Sequence, residues 1–170
     1  YEYLSSLEGF GTTEFRSLIE KPFRLDRLYQ RELKNLSGGE LQRVAIARTL
    51  AQQADLYLLD EPSAYLDVEE RLNLAKVLKR LMEMKDCTAL VIDHDLIFIS
   101  QIATKVMVFT GRPGMEGLAT KPLPVKEGLN LFLKEVGITT RRDPQTKRVR
   151  VNKLNSQLDV RQREEGRYFY

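Results

Sequence analysis

The segment Asn35–Asp67, NLSGGELQRVAIARTLAQQADLYLLDEPSAYLD, decides the fold of this 170-residue chain. A serine and two glycines open a helix within Leu36–Gln42, and Leu56–Pro62 is an apolar run that ends in two acids and a proline. A tight connection, Ser63–Asp67, then leads into another helix. Helices that alternate with apolar strands are typical of α/β proteins with a parallel sheet at the core, and we predict that fold class.

The start of the first helix has the features of an anion site. Ser37 and Glu40 have the spacing of a capping box, with Ser37 as the N-cap residue. Gly38 and Gly39 leave backbone N–H groups bare at the end of a helix that carries a partial positive charge, and phosphate is a natural occupant of such a position. The alternative is an ordinary capped helix without a ligand, which the S-x-x-E spacing alone favours.

The apolar run predicts a strand at Leu56–Asp60 that is buried on both faces, because its residues do not alternate with polar ones. Parallel strands deliver the residues at their C-terminal ends to the ligand crevice of an open α/β sheet. Asp60 is therefore placed to hold Mg²⁺, directly or through water, and Glu61 suits the polarisation of an attacking water. Strands often end in acids, so this pattern is weak evidence by itself.

The single histidine, His94, follows a second predicted buried strand, Thr88–Asp93. A lone histidine is more often a surface or structural residue. Here its position at the end of a strand parallel to Leu56–Asp60 favours a functional role, because both strand ends face the same crevice. A neutral imidazole at that position can hydrogen-bond a γ-phosphate or the attacking water.

Taken together, these motifs resemble those of the ATP-binding-cassette (ABC) ATPases. LSGGELQ is similar to the family's signature motif, LYLLDE to its Walker B motif with the catalytic glutamate, SAYLD to its D-loop, and His94 to its switch histidine. The resemblance implies ATP and Mg²⁺ as cofactors, Glu61 and His94 as catalytic residues and Asp60 as the metal ligand. It also implies nucleotide contacts, made across a site shared between two domains, by Ser37, Gly38, Gly39, Glu40, Gln42 and Asp67.

Composition predicts a globular domain with an extension, since 42% of the residues are hydrophobic. The single cysteine, Cys87, excludes an internal disulfide and a cysteine-ligated cluster within this chain. No apolar run approaches the roughly 18 residues that span a membrane, and the first residues lack signal-peptide character. We therefore expect a cytoplasmic protein without a membrane partner.

The C-terminal part of the chain is basic. Thr139–Tyr170 has nine Lys and Arg against four Asp and Glu, whereas the rest has eighteen against twenty. Two interpretations stay open: a solvated, partly extended tail, or a surface that contacts RNA or phosphate, since basic residues interleave with aromatic ones. Before it, we predict a strand at Lys105–Thr110 and a helix at Pro124–Val136 with four inward residues, Leu129, Phe132, Leu133 and Val136.

This part also resembles the C-terminal extension of the ribosome-recycling ABC ATPases, the RNase L inhibitor family. The similar features are KEGLNLFLKEVGIT at Lys126–Thr139, TRRDP at Thr140–Pro144, the Asn152–Lys153 pair and the aromatic end Gly166–Tyr170. The resemblance implies the C-terminal half of the second nucleotide-binding domain: the end of the helical subdomain (1–35), the catalytic core (36–110) and a hinge-like basic extension (111–170).

The same resemblance implies the partners and the missing parts. The implied partners are the small ribosomal subunit, a release factor or Pelota-type factor, ribosomal RNA and the first nucleotide-binding domain of the same protein. Iron–sulfur clusters are expected only in an N-terminal region that this sequence lacks. Because the sequence has no G-x-x-x-x-G-K-[ST] (Walker A) motif, we expect ATP hydrolysis by the full-length protein and none by this chain alone.

Two other functions share these motifs. The ATPase subunit of a membrane transporter has every motif up to His94 but has no need of a basic tail with an aromatic end. A non-catalytic fragment that binds RNA or the ribosome is the second alternative, and nucleotide binding by the purified chain distinguishes it from an ATPase.

Overall fold

The computed structural model describes residues 2–112, 114–145 and 149–170. Pro113 lies in GRPGMEG (Gly111–Gly117), a segment whose glycines and proline predict a turn-rich connection. Pro113 and residues 146–148, in the basic tail, lie outside the described residues. The chain divides into two compact units, an N-terminal unit (Tyr1–Ile102) and a C-terminal unit (Ala103–Tyr170). This division differs from the predicted boundaries after residues 35 and 110, and the functional assignment of those three segments stays a prediction. Among the described residues, no helix has the length and apolar character needed to cross a membrane.

The N-terminal unit is mainly helical and contains a parallel pair of strands. Its short helices are α1 (Glu2–Ser5) and α2 (Thr13–Phe15), which continues into a π-helical turn (Arg16–Glu20), followed by 3₁₀ turns at Leu25–Leu28 and Leu33–Asn35. The longer elements are α3 (Gly38–Ala51), β1 (Leu56–Asp60), α4 (Val68–Lys85), β2 (Thr88–Ile92) and α5 (Leu96–Ile102).

Strands β1 and β2 confirm the predicted parallel pair. Their register runs from Leu56 opposite Thr88 to Asp60 opposite Ile92, so both chains reach their C-terminal ends at the same edge of the sheet. One face of β1 contributes to the core, which also contains apolar side chains from every α-helix of this unit. The most deeply buried of these include Leu25, Leu50, Leu74 and Leu81.

The prediction that β1 is buried on both faces is wrong for this chain. Tyr57 and Leu59 are buried, but Leu58, between them, is 65% exposed. On β2, Ile92 is 61% exposed. Side chains alternate between the faces of a strand, and within the described part of the unit helices cover only the face that carries Tyr57 and Leu59. We call the exposed side, with Leu56, Leu58, Leu90 and Ile92, the bare sheet face.

The C-terminal unit is built from short antiparallel strand pairs and two helices. Its elements are β3 (Lys105–Val106), β4 (Phe109–Arg112), β5 (Glu116–Ala119), β6 (Leu123–Pro124), α6 (Val125–Glu135), β7 (Thr140–Arg142), β8 (Val149–Val151) and α7 (Gln157–Glu164). The single strand predicted at Lys105–Thr110 is wrong, because the chain changes partner: β3 pairs with β6 and β4 with β5. Between β3 and β4, Val108 N–H donates to the Thr120 hydroxyl and Thr120 N–H donates to the Val108 carbonyl, each at 3.0 Å.

Helix α6 confirms the predicted helix but only half of its predicted inward face. Leu129 and Leu133 are fully buried, whereas Phe132 is 37% and Val136 47% exposed. The buried pair is spaced by four residues and so lies on one narrow stripe. The helix lies close to β3 at Gly128, where an added Cβ would come within 2.8 Å of Val106 Cβ.

The interpretation of the basic tail as a solvated extension is wrong. Strands β7 and β8 pair in antiparallel fashion, α7 follows, and Thr139, Asn152, Asp159 and Gln162 are buried. These side chains bond to one another: Asn152 donates to Thr139 Oγ1 at 2.9 Å, and Thr139 donates to Asp159 Oδ1 at 2.5 Å. The tail is therefore a folded part of the C-terminal unit.

Candidate functional site

The N-terminus of α3 has the predicted capping box. Glu40 N–H donates to Ser37 Oγ at 3.3 Å, and Ser37 N–H donates to Glu40 Oε2 at 2.8 Å. The Ser37 N–H bond, together with the Ser37 hydroxyl and the cations Arg31 and Arg43, lowers the pKa of Glu40, against the opposing effect of burial. The carboxylate of Glu40 also pairs with Arg31. The Glu40 carboxylate thus stabilises the start of this helix through bonds within the protein. Its assignment as a nucleotide contact stays a prediction.

The two glycines of the signature have a packing reason in addition to the predicted anion site. A Cβ on Gly39 would lie 2.8 Å from the Tyr65 carbonyl oxygen, and one on Gly38 would lie 3.3 Å from Tyr65 Cδ1. Tyr65 has a left-handed backbone, with φ of 60°. Glycine therefore lets the Ser63–Asp67 connection lie directly against the start of α3.

A third signature residue, Gln42, also contacts the segment after β1. Its side-chain amide donates to the carbonyl oxygens of Glu61 and Pro62, at 3.2 and 3.3 Å. The signature helix and the end of the Walker B strand are thus bonded within one chain. The family resemblance implies that they serve different nucleotide sites, and sequence reasoning did not predict this contact.

The acids after β1 and the histidine after β2 lie together, as the parallel strands require. Glu61 N–H donates to the Ile92 carbonyl at 2.7 Å, and Glu61 Oε1 lies 3.5 Å from His94 Nδ1. Both side chains are largely exposed, so solvent reaches them. Glu61 has a left-handed backbone, with φ of 44°, which marks the sharp turn out of the strand. The predicted adjacency is present, and the catalytic roles of both residues stay predictions.

Asp60 ends β1 opposite Ile92, at the same edge of the sheet. The described residues contain no group of three His, Cys, Asp or Glu side chains that could hold a metal ion. Protein sites for Mg²⁺ commonly supply one or two carboxylates, while phosphate oxygens and waters complete the shell. A single carboxylate from Asp60 fits that kind of site.

Asp67 caps helix α4 in a second capping box. Glu70 N–H donates to Asp67 Oδ1 at 2.8 Å, and Asp67 N–H donates to Glu70 Oε2 at 3.3 Å. Glu70 also faces Arg43 of α3, with 3.3 Å between Glu70 Oε1 and Arg43 Nε. Asp67 thereby fixes the end of the connection that packs on the signature glycines.

Sequence reasoning missed the residues that hold the two loops of the site together. Asp93 accepts hydrogen bonds from Ser63, and Arg71 pairs with Asp95. Two signals in the sequence point to them: acids flank His94 on both sides, and Asp95 precedes an apolar run in the manner of an N-cap residue.

A glycine-rich capped helix, a tight connection packed against it and carboxylates at the ends of parallel strands define part of a nucleotide-binding domain of the ABC class. The family model described as "ABC transporter" matches residues 12–64, which include the signature and the acids after β1.

Similar proteins cover both units of the chain. The translation initiation factor RLI1 of Chaetomium thermophilum is 47% identical over 95% of this chain and 26% of its own length. In the crystal structure of the archaeal ribosomal stalk protein aP1 with the archaeal ribosome recycling factor aABCE1, the similar chain is 49% identical, with a TM-score of 0.87 over 100% of this chain and 33% of its own. In a model of ribosome-bound archaeal Pelota and ABCE1, the similar chain is 47% identical, with a TM-score of 0.93. The match covers 100% of this chain and 29% of that one.

The present chain thus spans about a quarter to a third of the length of these relatives. The identity extends through the C-terminal unit, beyond the residues that the general family model matches. Over nearly its whole length the chain therefore matches the ribosome-recycling ABC ATPases, the RNase L inhibitor family.

Proposed function

We propose that this chain is part of a longer ABC-type ATPase that uses ATP binding and hydrolysis to split ribosomes for recycling and to associate with the small subunit. The observation that carries the proposal is the 49% identity to a ribosome recycling factor over all of this chain, the C-terminal unit included. A transporter ATPase has no need of such a unit. The likeness therefore favours ribosome recycling over transport.

In this proposal the sheet edge performs the hydrolytic chemistry. Bound MgATP supplies the phosphate that is attacked. Asp60 would hold the metal ion, and Glu61 would orient a water molecule and accept its proton, as a general base does. His94 lies within 3.5 Å of the Glu61 carboxylate and so restricts the positions that this carboxylate can take.

The start of α3 serves the opposite nucleotide in the two-domain arrangement that the family implies. Its contacts would come from Ser37, Gly38, Gly39 and Gln42, and the first nucleotide-binding domain of the same protein would supply the phosphate loop. Glu40 and Asp67, the N-cap residue of α4, are also proposed as nucleotide contacts. Closure of both sites brings two domains together and hydrolysis lets them part, so nucleotide drives a clamp.

The remaining partners of the proposal come from the relatives. Their names place a recycling factor with a ribosomal stalk protein, and an ABCE1 protein with Pelota on the ribosome. We infer that this protein also works on ribosomes in the cytoplasm with a release factor or Pelota-type factor, and that basic residues of the C-terminal unit contact ribosomal RNA. Iron–sulfur clusters would belong to a region outside this chain.

The proposal is tested by ATPase and ribosome-splitting assays on the full-length protein that contains this sequence. Glu61→Gln keeps the shape of the side chain but removes the base, and we expect turnover to fall by about 10²-fold or more while ATP still binds. The matched control is Glu83→Gln, which makes the same change on an exposed face of α4. Full ATPase activity in Glu61→Gln, or ribosome splitting that needs no ATP, would contradict the proposal.

The 170-residue chain alone provides a second measurement. Without a phosphate-binding loop it has no cradle for the β- and γ-phosphates, so no magnesium-dependent turnover is expected. Turnover that survives purification and disappears in Glu61→Gln would show that the chain needs no further domain.

A further inference from the structure

A single carboxylate joins the two loops that carry Glu61 and His94. Asp93 Oδ2 accepts from Ser63 N–H at 3.0 Å, and Asp93 Oδ1 accepts from the Ser63 hydroxyl at 2.8 Å and from Asp95 N–H at 2.9 Å. Ser63 is fully buried, and Asp93 is partly buried. One carboxylate thus receives three donors, two from the loop after β1 and one from its own loop.

A second contact ties the same two loops at the other end of the connection. Arg71 of α4 donates from Nε to the Leu66 carbonyl at 2.9 Å and from Nη1 to Asp95 Oδ2 at 2.7 Å. The other oxygen of Asp95 accepts from the N–H groups of Ile97 and Phe98 at the start of α5. The segment from Glu61 to Leu66 is therefore fastened to the loop after β2 at both ends.

We propose that Asp93 is a positioning residue, which sets the distance between Glu61 and His94 by holding Ser63. This inference rests on the proposed ATPase function. Glu61 lies between two fixed points, its own N–H on the Ile92 carbonyl and Ser63 on Asp93. Its left-handed backbone, with φ of 44°, needs such support, because residues other than glycine rarely adopt a left-handed backbone conformation.

The geometry requires a carboxylate at this position. An amide in place of Asp93 has only one acceptor oxygen. If that oxygen takes the place of Oδ1, the NH₂ group meets the Ser63 N–H; if it takes the place of Oδ2, the NH₂ group meets the Asp95 N–H. Either orientation sets two donors against each other, although the shape of the side chain is unchanged.

The test compares three substitutions in the full-length protein. Asp93→Asn is expected to lower the kcat for ATP by about 10- to 100-fold with little change in KM, because small displacements of a catalytic group have effects of that size. Ser63→Ala removes only the hydroxyl donor and is expected to cause a smaller loss. The double variant should be no worse than Asp93→Asn, since both changes break one contact. Asp55→Asn, an exposed carboxylate in the same unit, is the control.

Hydrogen exchange gives a readout that does not depend on turnover. Asp93→Asn is expected to speed exchange in peptides that cover residues 61–67, while peptides from α3 and α4 keep their protection. Faster exchange throughout the unit would mean that Asp93 only stabilises the fold and would overturn the proposal. Additive losses in the double variant, or an unchanged kcat in both single variants, would also overturn it. Failure of the proposed function gives a different result: the wild-type protein would then show no ATPase activity that depends on Glu61.

Discussion

The two units of this chain differ in the polarity of their interiors. The N-terminal unit has a large apolar core, yet it leaves the bare sheet face exposed. The C-terminal unit buries few of its apolar residues and fills its centre with polar side chains that are bonded to one another. An apolar face without a cover indicates that further polypeptide belongs there. In the C-terminal unit, hydrogen bonds among the buried polar side chains satisfy the interior.

The polar interior of the C-terminal unit centres on Asp159. Its carboxylate accepts from the Thr139 hydroxyl, from Asn155 N–H and, through both oxygens, from Arg163 Nε. Arg163 also donates to the Gly137 carbonyl. The charge of Asp159 is thus matched by a cation and by neutral donors, as a buried carboxylate requires.

The largest effect is expected on the bare sheet face. In the 170-residue chain, Leu58→Asp should change the free energy of unfolding by no more than about 0.5 kcal/mol, because Leu58 already faces solvent. In the full-length protein, where we expect this face to be covered, an unpaired buried carboxylate should cost about 3–5 kcal/mol. Urea denaturation of both proteins measures the difference.

The neighbouring residue supplies the control for this comparison. Leu59 lies on the opposite face of β1 and is 7% exposed, so Leu59→Asp should destabilise the short and the full-length proteins alike. Equal, small effects of Leu58→Asp in both proteins would mean that the bare sheet face stays open in the longer chain.

A somewhat smaller effect is expected in the C-terminal unit. Leu129→Ala should lower the free energy of unfolding by about 2–5 kcal/mol, because Leu129 is fully buried and its truncation leaves a cavity. Leu154→Ala, at a largely exposed site in the same unit, is the control and should change little. If the two substitutions lower the free energy of unfolding equally, the unit is stabilised by its polar hydrogen bonds and not by the buried leucines of α6.

Local signals in the sequence were sufficient for much of the N-terminal unit. Both capping boxes depend on residues three positions apart, and the parallel pairing of β1 and β2 follows from two apolar runs around a helix. The placement of Glu61 next to His94 followed from that pairing. What no local pattern revealed is the Gln42 contact to Glu61 and the Ser63 contact to Asp93, which join residues 19 and 30 positions apart.

The fold of the basic tail, Thr139–Tyr170, escaped prediction for a physical reason. Its interior is polar, so the sequence lacks the apolar periodicity that reveals a helix or strand. Thr139 and Asp159 are twenty residues apart. Each lies in a segment whose own composition is typical of a solvated loop, and the bond between them is not visible in either segment alone. The bare sheet face had the opposite effect: its apolar strands predict a cover that the described residues of the N-terminal unit do not provide.

Acid should affect the C-terminal unit through Asp159. The hydrogen bond from the Thr139 hydroxyl, followed by the bonds from Arg163 and Asn155, lowers the pKa of Asp159 against the opposing effect of burial. A pKa lower in the folded than in the unfolded state stabilises the fold above the unfolded value of about 4, and this contribution is lost as the pH falls through the folded value. Asp159→Asn should therefore flatten the decline in stability below about pH 4.

The measurement is the urea midpoint of the chain, followed by circular dichroism between neutral pH and about pH 2.5. Glu40 is the counterpart in the N-terminal unit, where the bond from Ser37 N–H lowers its pKa in the same sense. Glu40→Gln should likewise flatten the decline in stability at acid pH. An acid decline that neither substitution alters would place its origin in other carboxylates.

The smallest effect is expected at the helix caps, one in each unit. Ser37 and Ser156 each accept a backbone N–H bond at 3.3 Å, from Glu40 and from Asp159. Ser37→Ala and Ser156→Ala should each lower the free energy of unfolding by about 1 kcal/mol, the usual cost of losing such a cap. Ser100→Ala is the control, because the Ser100 hydroxyl only donates back to the Ile97 carbonyl within α5.

The substitutions Ser37→Ala and Ser156→Ala together also decide between the two interpretations of the signature. An ordinary capped helix predicts that Ser37→Ala costs this stability and leaves ATP turnover of the full-length protein unchanged. An anion site predicts an additional loss of turnover that Ser156→Ala does not share, since only the start of α3 has glycines packed against the Ser63–Asp67 connection.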